Sequence, residues 1–186
     1  FGYPIYNSEK LNDALVVAGS FSDAPSPSGW PVTPLWTTKW VKEELFNYGY
    51  NDIREALYYY DSETGSVVDN TNSNIVNAFE SGVGVVNYRG WGDATGWHKP
   101  DFHLDDIDEL SSQLVQPVVF SFVCNTGDFG NENQPKCFGE YLLTAGSSLD
   151  PKGAVAVIGP SDLDTDTRFN NVLCGAMWDG LLEHKV

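Results

Sequence analysis

Five short, nearly continuous apolar runs constrain this chain more than any other feature. They are residues 14–18 (ALVVA), 56–60 (ALYYY), 84–88 (GVVNY), 117–123 (PVVFSFV) and 154–158 (AVAVI). Runs this uniformly apolar fit strands that are covered on both faces. The stretches between them have helical spacing. Residues 35–48 carry Trp36, Trp40, Leu45 and Tyr48 at that spacing, with Gly49 as the cap. Residues 69–74 form a polar turn before a short helix at 75–79 that Gly82 ends. Residues 104–112 form a short acidic helix, 138–145 another helix, and 168–183 a last one with Phe169, Leu173, Met177 and Leu181 on its apolar stripe. A Pro/Ser/Gly/Trp-rich loop occupies 21–34. Strands alternating with helices imply crossover connections, hence an α/β fold around a mostly parallel sheet.

A chain of 186 residues is the size of one domain, here 1–186. No stretch approaches the roughly 20 apolar residues of a membrane span, so membrane insertion is not expected. No basic segment precedes an apolar run at the start, so no signal peptide is visible, and sequence upstream of Phe1 is expected to be missing. Ten Lys+Arg stand against 26 Asp+Glu, a net charge of −16. That balance excludes a nucleic-acid partner, whose binding rests on cationic side chains, and an anionic membrane surface. It suits divalent cations, basic peptides or simple solubility. The three cysteines, Cys124, Cys137 and Cys174, are too few for a disulfide framework and form no CxxC, which argues against structural zinc.

Ligands of open parallel sheets bind beyond the carboxyl ends of the strands. Two strand ends here carry unusual sequences. One is Asn87-Tyr88-Arg89-Gly90-Trp91-Gly92-Asp93-Ala94-Thr95-Gly96-Trp97-His98, and the other is Val123-Cys124-Asn125-Thr126-Gly127-Asp128-Phe129. A thiol at the end of the most apolar strand stands where a nucleophile belongs, although free cysteine is also among the most often buried residues. Nearby glycines let a substrate backbone approach and let main-chain N–H groups near Gly92 and Cys124 form an oxyanion hole. Asp162, Asp164 and Asp166 have the opening spacing of an EF-hand, but Thr167 stands at the turn glycine and Leu173 at the bidentate Glu, so an EF-hand is excluded. Asp128-Phe129-Gly130 lacks every other kinase signature, and Gly82-Val83-Gly84 precedes a strand rather than opening a helix. Asp101, Asp105, Asp106, Asp108 and Glu109 gather near a helix start, where the dipole favours acids without any ligand.

The segment 84–183 resembles the catalytic subdomain of gingipain-type cysteine peptidases, the C25 peptidase family. The resemblance is carried by Asn87-Tyr88-Arg89-Gly90-Trp91-Gly92 with Trp97, by Cys124-Asn125-Thr126-Gly127-Asp128-Phe129, by Pro135-Lys136-Cys137-Phe138-Gly139-Glu140, and by Gly153-Ala154-Val155-Ala156-Val157-Ile158-Gly159. Residues 15–19 and Tyr48-Gly49-Tyr50 extend it more weakly. It implies a caspase-like fold, a three-layer αβα sandwich, in a fragment of a larger secreted or cell-surface protein. It implies that Cys124 is the nucleophile. The family places its catalytic histidine between two glycines, and this chain has Gly90-Trp91-Gly92 there. The acid that orients that histidine comes from the loop after the first strand, where this chain offers Asp23. Gly92, Asn125, Asp162 and Asp164 fall where the family contacts its substrate, and one of the two acids would select a basic residue; a solvated loop is the plainer reading of both. No cofactor is required. Structural calcium is the expected cation, but its ligands are not legible, so the metal-binding residues stay unassigned. The implied partners are a peptide or protein, as substrate or ligand, and other domains of the same precursor.

Losing the histidine has a chemical consequence. A thiolate attacks a carbonyl, and a free Cys with a pKa of about 8.5 is only slightly ionised at neutral pH. Removing a general acid–base costs roughly 10²–10⁴ in rate. The indole of Trp91 donates a hydrogen bond but does not exchange protons near neutrality. Two readings follow. In one the domain is degenerate, a pseudopeptidase or binding module. In the other Cys124 is active with His98 as an irregular base, seven residues beyond Trp91, and His103 is a weaker candidate for the same role.

Overall fold

The computed structural model describes residues 8–20, 33–69, 72–162 and 165–182. A 3-10 turn, Ser8–Asn12, leads into strand β1 (Asp13–Gly19). Helix α1 (Thr33–Tyr48), strands β2 (Asp52–Asp61) and β3 (Ser66–Asp69), helix α2 (Asn72–Ser81) and strand β4 (Val85–Arg89) follow. Strands β5 (Gly92–Asp93), β6 (Gly96–His98) and β7 (Asp101–His103) form a small antiparallel ribbon of their own. Helix α3 (Leu104–Glu109), strand β8 (Val118–Phe122) and helix α4 (Phe138–Thr144) come next. The hairpin of β9 (Gly146–Ser147) and β10 (Asp150–Pro151), strand β11 (Ala156–Ile158) and helix α5 (Thr167–Leu182) complete the order.

The main sheet has six strands in the order β11-β8-β4-β1-β2-β3. The five apolar runs of the sequence form its parallel strands, and β3 joins β2 antiparallel. Period-two alternation divides the strand residues between two cores. Leu15 and Val17 of β1 point to one face, with Val86, Tyr88 and Val119, where Ile75 and Phe79 of α2, Trp97, Phe102 and Phe138 cover them. Ala14 and Val16 point to the other face, where Val41 and Leu45 of α1 and Cys174 and Trp178 of α5 pack on Phe120 and Phe122. Helices on both faces of a mostly parallel sheet make the three-layer αβα sandwich that the sequence implies.

Two glycine caps appear as expected: Gly49 (φ 113°) donates to the Leu45 carbonyl and Gly82 (φ 82°) to that of Phe79. Other elements depart from the sequence reading. The second strand is longer than its apolar run, starting at Asp52, and Asp69 closes β3 instead of opening a polar turn. The acidic helix ends at Glu109, three residues early. The α5 stripe is a correction of substance. Phe169 is 72 % exposed, and Leu173 and Leu181 are also exposed, while Asn170, Cys174 and Trp178 are buried. The reason is Asn87, a buried polar residue of β4 whose Oδ1 needs donors. Trp178 Nε1 donates to it at 2.8 Å and Cys174 Sγ at 3.4 Å, which rotates the helix one residue away from its greasiest face.

Trp178→Ala is expected to remove about 3–5 kcal/mol of stability, because it opens a cavity and strands Asn87. Phe169→Ala is expected to change stability by no more than about 0.5 kcal/mol. Denaturant titration of the two variants checks the helix orientation, and the reverse ranking would contradict it.

Candidate active site

The pairing of β4 with β8 sets the site. Arg89 lies opposite Phe122, so Trp91 and Cys124 leave the sheet at the same level, two residues beyond paired positions. Tyr88 holds the first turn. It is fully buried, stacks on Trp97 with ring centroids 4.5 Å apart, and faces its hydroxyl hydrogen towards the carbonyls of Trp91 (2.7 Å) and Lys99 (3.1 Å). The Trp91 N–H donates back to the hydroxyl oxygen at 3.1 Å. Burial pushes the Tyr88 phenol up, so it stays a neutral donor. Glycine is required on both sides of Trp91. A Cβ at Gly90 would meet the Tyr88 hydroxyl at 2.5 Å, and one at Gly92 would meet the Gly96 carbonyl at 2.5 Å and Val123 Cγ1 at 3.3 Å. The Gly-Trp-Gly turn therefore lies against the residue preceding Cys124. Trp91 itself is 51 % exposed.

Cys124 begins a tight turn after β8. Asn125 takes a left-handed conformation (φ 54°), unusual for a residue with a side chain, and its Oδ1 is buried without a hydrogen-bond partner. Its N–H donates to the Asp162 carbonyl at 3.1 Å, and that of Gly127 to Pro160 at 2.9 Å, so the loop after β11 is tied to the Cys124 turn. The Asn125 N–H is thus spoken for by protein. The half-buried Cys124 sulfur lies 3.0 Å from Thr165 Oγ1 and 3.6 Å from the Thr165 carbonyl oxygen. The buried Asn170 donates its Nδ2 to the same Thr165 Oγ1 at 3.0 Å.

Both histidines of the ribbon are engaged elsewhere. His98 Nε2 is 3.1 Å from Asp93 Oδ2, and His98 Nδ1 is 3.1 Å from His103 Nε2. A carboxylate only accepts, so His98 donates from Nε2, while its Nδ1 and His103 Nε2 share one hydrogen. Partial burial works to raise the Asp93 carboxyl, but hydrogen bonds from the Thr95 hydroxyl and N–H, then His98, outweigh it and hold it below the usual range. The Trp91 ring meets His98 edge-on at 5.3 Å. Sequence reasoning named Cys124, Trp91, His98, Gly92, Asn125 and Asp162, and it passed over Thr165, Asn170 and the Asp93–His98–His103 chain. Asp23 and Asp164 lie outside the described residues. Asp162 is exposed. Its neighbour Asp166 pairs with Arg168, whose hydrogen bonds draw that carboxyl down to about 2.

Beneath the site lies Arg89, wholly buried. Its guanidinium donates to Asn171 Oδ1 at 2.6 and 3.0 Å, to the Thr167 carbonyl at 3.2 Å and to the Phe122 carbonyl. All three partners are neutral. Burial draws the guanidinium down to about 10, opposed by the ionisable Cys174, Tyr88 and Cys124 nearby.

A family model described as peptidase family C25 matches residues 6–185, and the chain belongs to that family. It is similar to gingipain R2 and gingipain R1 of Porphyromonas gingivalis, 31 % identical to each over 171 residues that make up 88 % of this chain. Those residues span 22 % of gingipain R2 and 16 % of gingipain R1, so the chain covers less than a quarter of the relatives' length. Among solved structures it resembles the complex of the pro- and mature domains of P. gingivalis RgpB, with TM-score 0.69, 26 % identity, and coverage of 92 % of this chain and 39 % of that one. It also resembles the Arg-specific cysteine proteinase gingipain R, with TM-score 0.68, 26 % identity, and 93 % and 39 % coverage.

The three thiols differ in their surroundings. Burial raises the Cys137 thiol and pushes that of Cys174 up to about 12. A raised thiol stays protonated until the pH climbs towards that value, so both are expected to resist a small alkylating reagent between about pH 7 and 9. Cys124 is the site expected to react. Peptide mapping by mass spectrometry checks this, and native-state modification of Cys174 would contradict it.

Proposed function

We propose that this chain is a C25-family domain that binds a peptide beside Cys124, at the carboxyl end of the sheet, without hydrolysing it. The observation that carries the reading is the company the sulfur keeps: a threonine hydroxyl and carbonyl and, among the described residues, no imidazole. The resemblance supports the same view, since Trp91 stands between the two glycines where the family has its histidine. The rival role for His98 as general base asks it to leave two partners, because both its ring nitrogens are engaged. Amide hydrolysis needs a group to protonate the departing amine. Among the described residues none with that ability bonds the sulfur. The setting that suits the domain is outside the cell, as part of a longer precursor whose other domains are its nearest partners. The exposed Trp91 ring supplies the contact surface for an extended peptide, next to the buried Gly92 and the half-buried Asn125.

Purified protein is expected to release no amine from peptidyl-amide substrates above the Cys124→Ala background. Trp91→His is expected to raise turnover by roughly 10²–10⁴, the usual worth of a general acid–base. Turnover by the unmodified chain that Cys124→Ala abolishes would overturn the proposal.

A further inference from the structure

We propose that Thr165 takes the place of an imidazole in activating Cys124, and that the sulfur is consequently an acyl acceptor for thioesters and activated esters. This inference rests on the reading that the site has lost its general acid–base.

The geometry begins with Asn170. Its amide N–H occupies one lone pair of the Thr165 hydroxyl at 3.0 Å and fixes that oxygen beside the sulfur. The hydroxyl hydrogen then has the Cys124 sulfur, 3.0 Å away, as its acceptor. With the hydroxyl acting as donor, the thiol hydrogen is left, among the described residues, with the Thr165 main-chain oxygen at a distant 3.6 Å. When the thiol ionises it gives up that weak bond, while the bond from the hydroxyl becomes charge-assisted and strengthens. The hydroxyl therefore stays bonded to the sulfur in its attacking form. The buried Arg89 guanidinium, whose described hydrogen-bond acceptors are all neutral, adds attraction of the same sign.

The chemistry follows from what is present and what is not. The thiolate lone pair forms a C–S bond to the carbonyl carbon. The bond from that carbon to the leaving group breaks, and a phenolate or thiolate departs with the electron pair. The thiol proton has already passed to solvent when the thiolate forms, so none moves in the acyl transfer itself and no general acid is needed. With an amide the same tetrahedral intermediate expels the sulfur again, because the amine cannot leave unprotonated. Water needs a base to attack the thioester product, so the acyl group stays on Cys124.

The test uses the whole chain with 4-nitrophenyl acetate and with an acyl thioester. A burst of about one equivalent of nitrophenolate is expected, with the acetyl mass retained on Cys124 and the burst absent in Cys124→Ala. Thr165→Val, nearly isosteric, is expected to slow acylation roughly tenfold, the scale of one charge-assisted hydrogen bond. It should also move the rate–pH curve to higher pH, with Thr165→Ser restoring both. A merely structural threonine would leave the pH curve in place. No burst, or a Thr165→Val rate and pH curve like those of the unmodified chain, overturns the inference. Steady cleavage of peptide amides would instead sink the binding-module reading, and the Thr165→Val pH curve would still decide the role of Thr165.

Discussion

Everything reactive in this domain depends on the parallel register of β4 and β8. Because Arg89 pairs with Phe122, the turn after one strand and the turn after the other emerge together at the carboxyl end of the sheet. Two central strands buried on both faces cannot slip by one residue without sending their apolar side chains into the wrong core. The placement of Trp91 beside the Cys124 turn is therefore enforced by the same packing that stabilises the fold. Tyr88 translates that register into the shape of the turn. Its ring is locked between layers by Trp97, and its hydroxyl grips the main chain of Trp91 from below.

The ribbon β5–β7 is a second layer built on the first. Trp97 of β6 anchors it, stacking on Tyr88 and donating to Ser121 of β8 at 2.9 Å. From this anchor His98 is carried to the outer side, where Asp93 and His103 complete its hydrogen bonds. The adjacent residues Trp97 and His98 thus face opposite ways, as alternation along a strand requires. One is structural core and the other is the middle link of a polar chain.

The parallel strands were legible in the sequence because burial on both faces leaves an uninterrupted apolar signature. The thiol and the Gly-Trp-Gly turn were legible because they sit at the ends of those strands. The ribbon was not, since strands of two or three residues in a glycine-rich loop carry no periodicity. The orientation of α5 was misread because the buried side of that helix is chosen by a hydrogen-bonding demand from Asn87, a residue far away in the chain. Thr165 and Asn170 were invisible for a similar reason. Thr165 matters because it meets Cys124 across 41 residues of sequence separation, and Asn170, in the first turns of α5, matters because it bonds Thr165.

The Arg89 guanidinium gives this acidic molecule a small region of inverted polarity. Overall the chain carries −16, yet beneath its site lies a cation whose described partners are all uncharged. A desolvated charge of that kind is held by hydrogen bonds from all three of its nitrogens. It fastens the first turn of α5 to the central strands. Because the guanidinium is wholly enclosed, it acts on the Cys124 turn through its field and not by contact with anything that arrives from solvent.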